Sequence, residues 1–345
     1  MPTFNSSHSD YAVLAERYED FVGSSPYGTF MQSVGWAQVK NNWDADYVYV
    51  EDEAGNIKAA MSLLSISNDG GRSSFTYGPG APVCDFSDRE LVEELIAEAE
   101  PVLQDRHSFV LRLGSFELWN QELVDIWRAS SYIMRSSESA RGSFTNPQLV
   151  MVLDLDKIDE EDPMISFPAS VRNKIRKGEK NGVATRFVTV DSPDYRDVLD
   201  KFYQLIETMA ERQGIPHRPY DYYDRMMHAF PQARLWITEH VSGKALAGSL
   251  GVTYNRAASD VYEASSNDMR QTRPSFQMNY EAIAQAKRDG VDIYDMGGIY
   301  TADLSDGLYN FKERICGPDG VREYVGELDV VRNQEKYHEF MAKWM

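Results

Sequence analysis

Residues 47–65 read YVYVEDEAGNIKAAMSLLS. Two runs rich in β-branched and aromatic residues flank Ala54-Gly55-Asn56, which has the composition of a tight turn. The stretch therefore predicts a β-hairpin with arms Tyr47–Asp52 and Ile57–Ser65. Residues 234–254, RLWITEHVSGKALAGSLGVTY, repeat the pattern, with arms Arg234–His240 and Ala245–Tyr254 around Ser242-Gly243. Gly243 stands 188 positions after Gly55. Outward from the first hairpin come a strand near Ser73–Tyr77, the breaker Gly78-Pro79-Gly80, and a helix capped by Ser87 or Asp88 with Leu91, Val92, Leu95, Ile96 and Leu103 on one face. Strand Ser108–Leu113 and a helix over Phe116–Ala129 follow.

The second hairpin has the same neighbours. A helix opens with Ser192 as cap and Pro193 in first position, carries Leu199, Phe202, Tyr203, Ile206, Met209 and Ala210 inward, and stops at Gly214. After the hairpin come strand Ser259–Ser265, helix Pro274–Asp289 closed by Gly290, strand Asp292–Met296 ending at Gly297-Gly298, and a short helix over Leu308–Arg314. The same offset lays the helix from Asp88 over the helix from Phe276. Hairpin, strand, helix, strand, helix is the order of an N-acetyltransferase-like mixed sheet. The expectation is an α/β protein with two such (GNAT-like) domains in tandem. Residues 1–148 plus about 323–345 form the first and residues 149–322 the second, with the boundary near the Ser/Arg-rich segment 136–147.

The 345 residues hold 35 Lys and Arg against 54 Asp and Glu, a formal charge of −19. That balance opposes a non-specific nucleic-acid coat, because phosphate repulsion penalises it, and leaves room for a local basic site. No apolar run reaches the ~18–20 residues that span a bilayer, and the N-terminus lacks a signal-peptide pattern. Two cysteines, Cys84 and Cys316, cannot build a disulfide framework. These features predict a cytoplasmic protein without a membrane span, and the absence of heptads favours a monomer.

Acetyl-coenzyme A binding in this fold needs a Gly-rich loop opening the helix after the third strand, whose N–H groups hold the pyrophosphate. The second half instead offers Arg270-Gln271-Thr272-Arg273-Pro274-Ser275, and the first Gly78-Pro79-Gly80-Ala81-Pro82. Neither makes that nest. The six histidines lack metal-ligand spacing, and no Walker A loop or Gly-x-Ser-x-Gly elbow is present. No metal and no cofactor are expected, so any acyl group must arrive already activated.

Several stretches together resemble the Fem family of peptidyltransferases: Ser25-Pro26-Tyr27-Gly28, residues 34–43 (VGWAQVKNNW), residues 209–219 (MAERQGIPHRP), Tyr294-Asp295-Met296-Gly297-Gly298-Ile299 and Leu308-Tyr309-Asn310-Phe311-Lys312. The resemblance runs in order along nearly the whole chain and is nearest to the FemX-like members. It implies transfer of an amino acid (Ala, Ser or Gly) from aminoacyl-tRNA to the side-chain amine at the third stem-peptide position of UDP-MurNAc-pentapeptide, beginning a peptidoglycan bridge. Ester-to-amide exchange is downhill. The demand on the protein is positioning and oxyanion stabilisation.

The resemblance further implies that Lys40 and Arg218 contact the UDP diphosphate and that Tyr222 and Tyr262 face the same substrate. It sets Phe311 and Lys312 near the tRNA acceptor end, with the Lys312 ammonium suited to the developing oxyanion. The local alternative for Lys312 is a helix-surface lysine paired with Glu313 or Asp306; for Arg218 it is a pair with Asp221 or Asp224. The basic run Arg172, Lys174, Arg176, Lys177 and Lys180 suits tRNA phosphates or, equally, a solvated helix face. The implied first domain binds the UDP-precursor and the second the tRNA acceptor end.

Two departures stand out. Where family members often carry an aspartate after the strand ending at Leu113, this chain has Gly114 and Ser115, so either that carboxylate is dispensable or Glu117 or another group replaces it. Between Gly214 and Arg234 there is no room for the long helical arm of members acting on lipid-linked precursor. Competing readings are an aminoacyl-tRNA–protein transferase of the same fold, a coenzyme A acetyltransferase, and a non-catalytic paired-domain scaffold.

Overall fold

Gly55 and Gly243 both take left-handed backbone, with φ of +83° and +82°, a conformation that costs glycine nothing, and both hairpins close on them. The computed structural model describes residues 3–137 and 144–343; residues 138–143 of the expected boundary segment lie outside them. The chain divides into two units, Met1–Leu149 with Arg322–Met345, and Val150–Val321.

The first unit carries β1 (Thr3–Phe4), α1 (Tyr11–Ser24), α2 (Val34–Val39), β2 (Asp44–Glu51), β3 (Ile57–Ile66), β4 (Ser74–Pro79), α3 (Arg89–Glu98), α4 (Glu100–Asp105), β5 (Ser108–Leu118), α5 (Gln121–Arg128) and β6 (Ile133–Arg135). The second carries β7 (Leu149–Asp154), α6 (Ala169–Lys180), β8 (Val183–Val188), α7 (Tyr195–Gln213), α8 (Tyr220–Ala229), β9 (Ala233–His240), β10 (Ala245–Tyr254), β11 (Ala257–Ser265), α9 (Pro274–Arg288), β12 (Ile293–Ile299) and α10 (Gly307–Cys316). The chain then returns to the first unit with β13 (Val321–Val331) and α11 (Gln334–Met341).

Strand order is β1-β2-β3-β4-β5-β13 in the first unit, with β6 on β13, and β7-β12-β11-β10-β9-β8 in the second. In each, an antiparallel meander ends in one parallel pair: β4 with β5, and β11 with β12. The first core packs Val48, Met61, Leu63, Phe86, Leu95, Leu103, Leu111 and Trp127, all 1% exposed or less. Phe202, Ile206, Ile237, Leu246, Leu250 and Ile283 are equally buried in the second. Each such side chain contributes about 1.5–3 kcal/mol by leaving water. Cys84 and Cys316 are buried free thiols.

Four elements differ from the sequence expectation. The helix expected to run on from Asp88 breaks into α3 and α4, because Pro101 sits in the first turn of α4 and has no N–H to continue the ladder. β5 extends to Leu118, where a second helix was expected from Phe116, because β13 pairs with it from Leu118 to Val110. α7 starts at Tyr195 rather than Pro193, since the Ser192 hydroxyl accepts from Thr189 N–H and caps nothing. β12 runs through Gly297-Gly298 to Ile299 instead of stopping there.

Candidate active site

In the second unit β11 and β12 pair only from Ala257–Ser259 to Ile293–Asp295, and beyond that point no register joins them. Lys312, from α10, fills the opening. Its Nζ donates to Met296 O at 2.6 Å and Gly298 O at 2.9 Å, and the residue is 7% exposed. Gly297 between those carbonyls has φ of +76°, and a Cβ there would lie 4.0 Å from Nζ. Asp306 caps α10 by accepting from Tyr309 N–H, so it is not the partner of Lys312.

Three carboxylates surround this ammonium. Asp260 accepts from Ser249 Oγ, Glu263 accepts from Asn279 Nδ2 at 3.3 Å, and Asp295 accepts from Gly297 N–H at 2.7 Å. A β-bulge makes the set possible: Asp260 pairs with Gly251 and Tyr262 with Leu250, so Val261 is an extra residue. In an unbroken strand Asp260 and Tyr262 would share a face. The bulge instead turns Asp260 and Glu263 toward Lys312, and Tyr262 toward α8.

Burial, and then the Glu263 charge, push Asp260 well above the usual carboxylate range, against the pull of Ser249 and Lys312. Burial also raises Glu263 and Asp295. It lowers Lys312, although Glu263, Asp260 and Asp295 oppose that shift. Burial thus favours the protonated form of all three acids and the neutral form of Lys312.

A second group of predicted residues converges on α8. The Arg218 guanidinium lies 5.4 Å from the Tyr222 ring centroid, and Tyr262 Oη donates to Tyr222 Oη at 3.2 Å. Tyr223 packs edge-on against Tyr262 at 5.2 Å. Asp224 is taken by Tyr195 and Arg196, and among the described residues the exposed Arg218 pairs with neither Asp221 nor Asp224 and faces the Tyr222 ring instead. Burial raises the pKa of Tyr222, so it stays a neutral hydroxyl.

In the first unit Lys40 caps the C-terminus of α2, its Nζ 4.8 Å from the Trp36 ring centroid, where the dipole favours a cation. At Gly114 the departure has a steric cause: a Cβ there would lie 2.7 Å from Tyr77 Oη. Among the described residues that hydroxyl is buried without a hydrogen-bond partner. Glu117 is half-buried on β5, its pKa raised by burial and then by Asp85. The strand residue opposite Gly114 is Glu327.

The basic run lies on α6 and is not uniform. Arg172 donates to Phe167 O, the Lys174 ammonium sits 4.4 Å over the Phe276 ring, and Arg176, Lys177 and Lys180 are exposed. Phe276 in turn packs edge-on against Phe311 at 5.0 Å. Sequence reading missed Asp260, Glu263 and Asn279, and the one signal available was Asp295, inside the quoted Tyr294–Ile299 stretch. Among the described residues no His, Cys, Asp and Glu group is arranged to hold a metal ion.

A profile of the FemAB family matches residues 13–238, and one of an acetyltransferase (GNAT) domain matches residues 166–313. Over 347 residues the chain is 35% identical to the UDP-N-acetylmuramoylpentapeptide-lysine N(6)-alanyltransferase of Weissella viridescens, covering 99% of each. The chain belongs to the FemAB family. It is also 24% identical to the lipid II:glycine glycyltransferase of Staphylococcus epidermidis, covering 94% of this chain and 93% of that one. The crystal structure of FemX superposes with a TM-score of 0.82 at 18% identity, covering 99% of this chain and 100% of that chain. A tandem GNAT protein from the clavulanic acid pathway gives 0.54 at 12% identity, covering 95% and 98%.

This FemAB protein is therefore an aminoacyltransferase of the FemA/FemX type, built on two GNAT-like domains. Between Gly214 and Ala233 it carries only α8, with no helical arm. Among the described residues no helix is long and apolar enough to cross a membrane.

Proposed function

We propose that the protein transfers an amino acid from aminoacyl-tRNA to the side-chain amine of the third stem-peptide residue of UDP-MurNAc-pentapeptide. The observation that carries this reading is Lys312, an ammonium held on the Met296 and Gly298 carbonyls where β11 and β12 part in the second GNAT-like unit. The end-to-end likeness to an alanyltransferase makes alanine the first amino acid to test, ahead of serine and glycine, and lysine the first acceptor residue. The lack of an arm supports the UDP-linked over the lipid-linked acceptor.

In this reaction the acceptor nitrogen attacks the ester carbonyl carbon, the bond from that carbon to the ribose oxygen breaks, and an amide forms. The attacking amine loses one proton and the ribose oxygen gains one. Lys312, with two N–H groups committed to Met296 O and Gly298 O, keeps the third for the oxyanion or the departing oxygen. Its lowered pKa brings it nearer to neutrality as a proton donor. Arg218, with Tyr222 and Tyr262 behind it, presents a planar fork suited to a diphosphate, and Lys40 of the first unit is a point charge to be tested separately for phosphate binding.

The test is a mass-resolved transfer assay with UDP-MurNAc-pentapeptide (lysine form) and mixed charged tRNAs, with and without ribonuclease. A ribonuclease-sensitive gain of one residue is expected, and its mass names the amino acid. No gain, together with no binding of the UDP-precursor, would sink the reading and favour transfer to a protein N-terminus.

A further inference from the structure

In a chain of charge −19, cations without a carboxylate partner are worth locating. Lys174 on α6, Arg273 at the start of α9 and Arg314 on α10 form such a group. None of the three has an ion pair among the described residues. Lys174 rests on the Phe276 ring, and the Arg314 Nε donates to Asn310 Oδ1 at 2.9 Å. Lys174 feels the other two: after burial, the charges of Arg314 and Arg273 are what depress its ammonium. Arg273 and Arg314 are exposed and Lys174 half-buried, so the charges face solvent over an aromatic floor.

The fold spends effort to hold them together. Lys174 and Gly178 lie four residues apart on one face of α6. A Cβ at Gly178 would stand 3.2 Å from both Thr272 O and Gln277 Oε1, so glycine lets α6 approach the first turn of α9. Arg273 takes φ of +58°, an uncommon conformation for a non-glycine residue, immediately before the Pro274 that starts α9 without a side-chain cap. Arg314 lies two residues beyond Lys312. Three like charges at close range over low-dielectric rings are unfavourable in the empty protein and favourable around an anion.

We infer that Lys174, Arg273 and Arg314 form a phosphate-binding subsite over Phe276 and Phe311. Resting on the proposed function, its occupant is a phosphodiester at the 3′ end of the aminoacyl-tRNA, which brings the ester toward Lys312. A coenzyme pyrophosphate has the same chemistry and is the source to be distinguished. The site takes one member of the α6 basic run and two arginines outside it.

The probes are a labelled RNA oligonucleotide with the tRNA 3′ sequence and coenzyme A, titrated against the full chain at several salt concentrations. The Lys174→Ala/Arg273→Ala/Arg314→Ala variant is expected to bind the RNA on the order of 100-fold more weakly, with a salt slope smaller by about 2. Arg273→Lys/Arg314→Lys retains the slope, and Arg256→Ala, whose arginine pairs with Asp292 at the surface, binds as the wild type does. Because Lys174 packs on a ring, the Arg273→Ala/Arg314→Ala pair is read as well, with melting temperatures for each variant. Loss of coenzyme A binding alone keeps the phosphate subsite and overturns its RNA occupant. Unchanged binding of both probes overturns the subsite. A wild type that binds RNA through these residues yet transfers nothing to the UDP-precursor leaves the subsite standing and removes the function reading.

Discussion

Each unit buries a charged cluster beside its parallel strand pair, and the two clusters differ in balance. In the first, Arg112 makes a two-pronged contact with Asp329 at 2.7 and 2.8 Å, and Arg135 reaches Glu327 at 2.6 Å. Tyr337 Oη and Thr145 N–H supply further donors to the same carboxylates. Two cations meet two carboxylates there, and β4 and β5 stay paired as far as Pro79 and Gly114. In the second, one lysine meets three carboxylates, and β11 and β12 part after Ser259 and Asp295. One copy of the fold has its charges neutralised and its strands joined. The other parts its strands and holds more acids than cations, with burial favouring the uncharged forms, and a reaction that moves protons needs the second kind of place.

The largest expected effect tests the balanced cluster. Arg112 is 1% exposed, and its loss would strand Asp329 in the core. Arg112→Ala should lower the unfolding free energy by about 3–5 kcal/mol, read by urea titration. A loss under about 1 kcal/mol would mean the cluster relaxes or hydrates as its counterpart can, and the contrast between the units would fail. Lys312→Met comes next. It should cut the transfer rate by about 100–1000-fold while changing stability far less than Arg112→Ala does, because burial already favours the protonated form of its carboxylates. Melting as severe as that of the arginine variant would reassign Lys312 to the scaffold.

Much of this was legible because it is local. The paired turns at Gly55 and Gly243, the Asp88 cap and the left-handed Gly214 each depend on a few adjacent residues. Phe311, Lys312, Arg218, Tyr222 and Tyr262 came from resemblance, and the structure gathers the last three around α8. The surplus of acids was not legible. Strand periodicity puts Asp260 and Glu263 on opposite faces until the bulge at Val261 is known. Gly297-Gly298 reads as a strand stop, although its carbonyl is what Lys312 binds. Arg273 and Arg314 look like isolated surface charges until α6 closes on α9 over Gly178.

A mid-sized effect sharpens the comparison at the closed strand pair. Gly114→Ala should cost about 1–3 kcal/mol, since its methyl group meets the Tyr77 hydroxyl. Tyr77→Phe removes that oxygen, which is buried without a partner, and should be close to neutral alone. Combined, the two should recover much of the loss in a double-mutant cycle. Strict additivity would show that the tyrosine does not occupy the space that a side chain at position 114 needs.

The smallest effect is a slope. Asp260, Glu263 and Asp295 hold their protons to higher pH than the unfolded chain does, chiefly through burial. Above about pH 4 the unfolded state loses those protons first, so the folded state binds more. Wild-type stability therefore falls as pH rises from the ordinary carboxylate range through the raised folded-state values, at up to about 1.4 kcal/mol per pH unit for each retained proton. Lys312 acts with the opposite sign, between its lowered folded-state value and its ordinary one near 10.4, so the carboxylate slope is read from the acid end upward. Asp260→Asn keeps a partner for Ser249 and removes one titrating group, so its stability should fall less steeply over that range and overtake the wild type toward neutrality. Equal slopes in wild type and Asp260→Asn would mean that Asp260 does not hold its proton beyond the unfolded chain, and the two clusters would differ in composition without differing in proton binding.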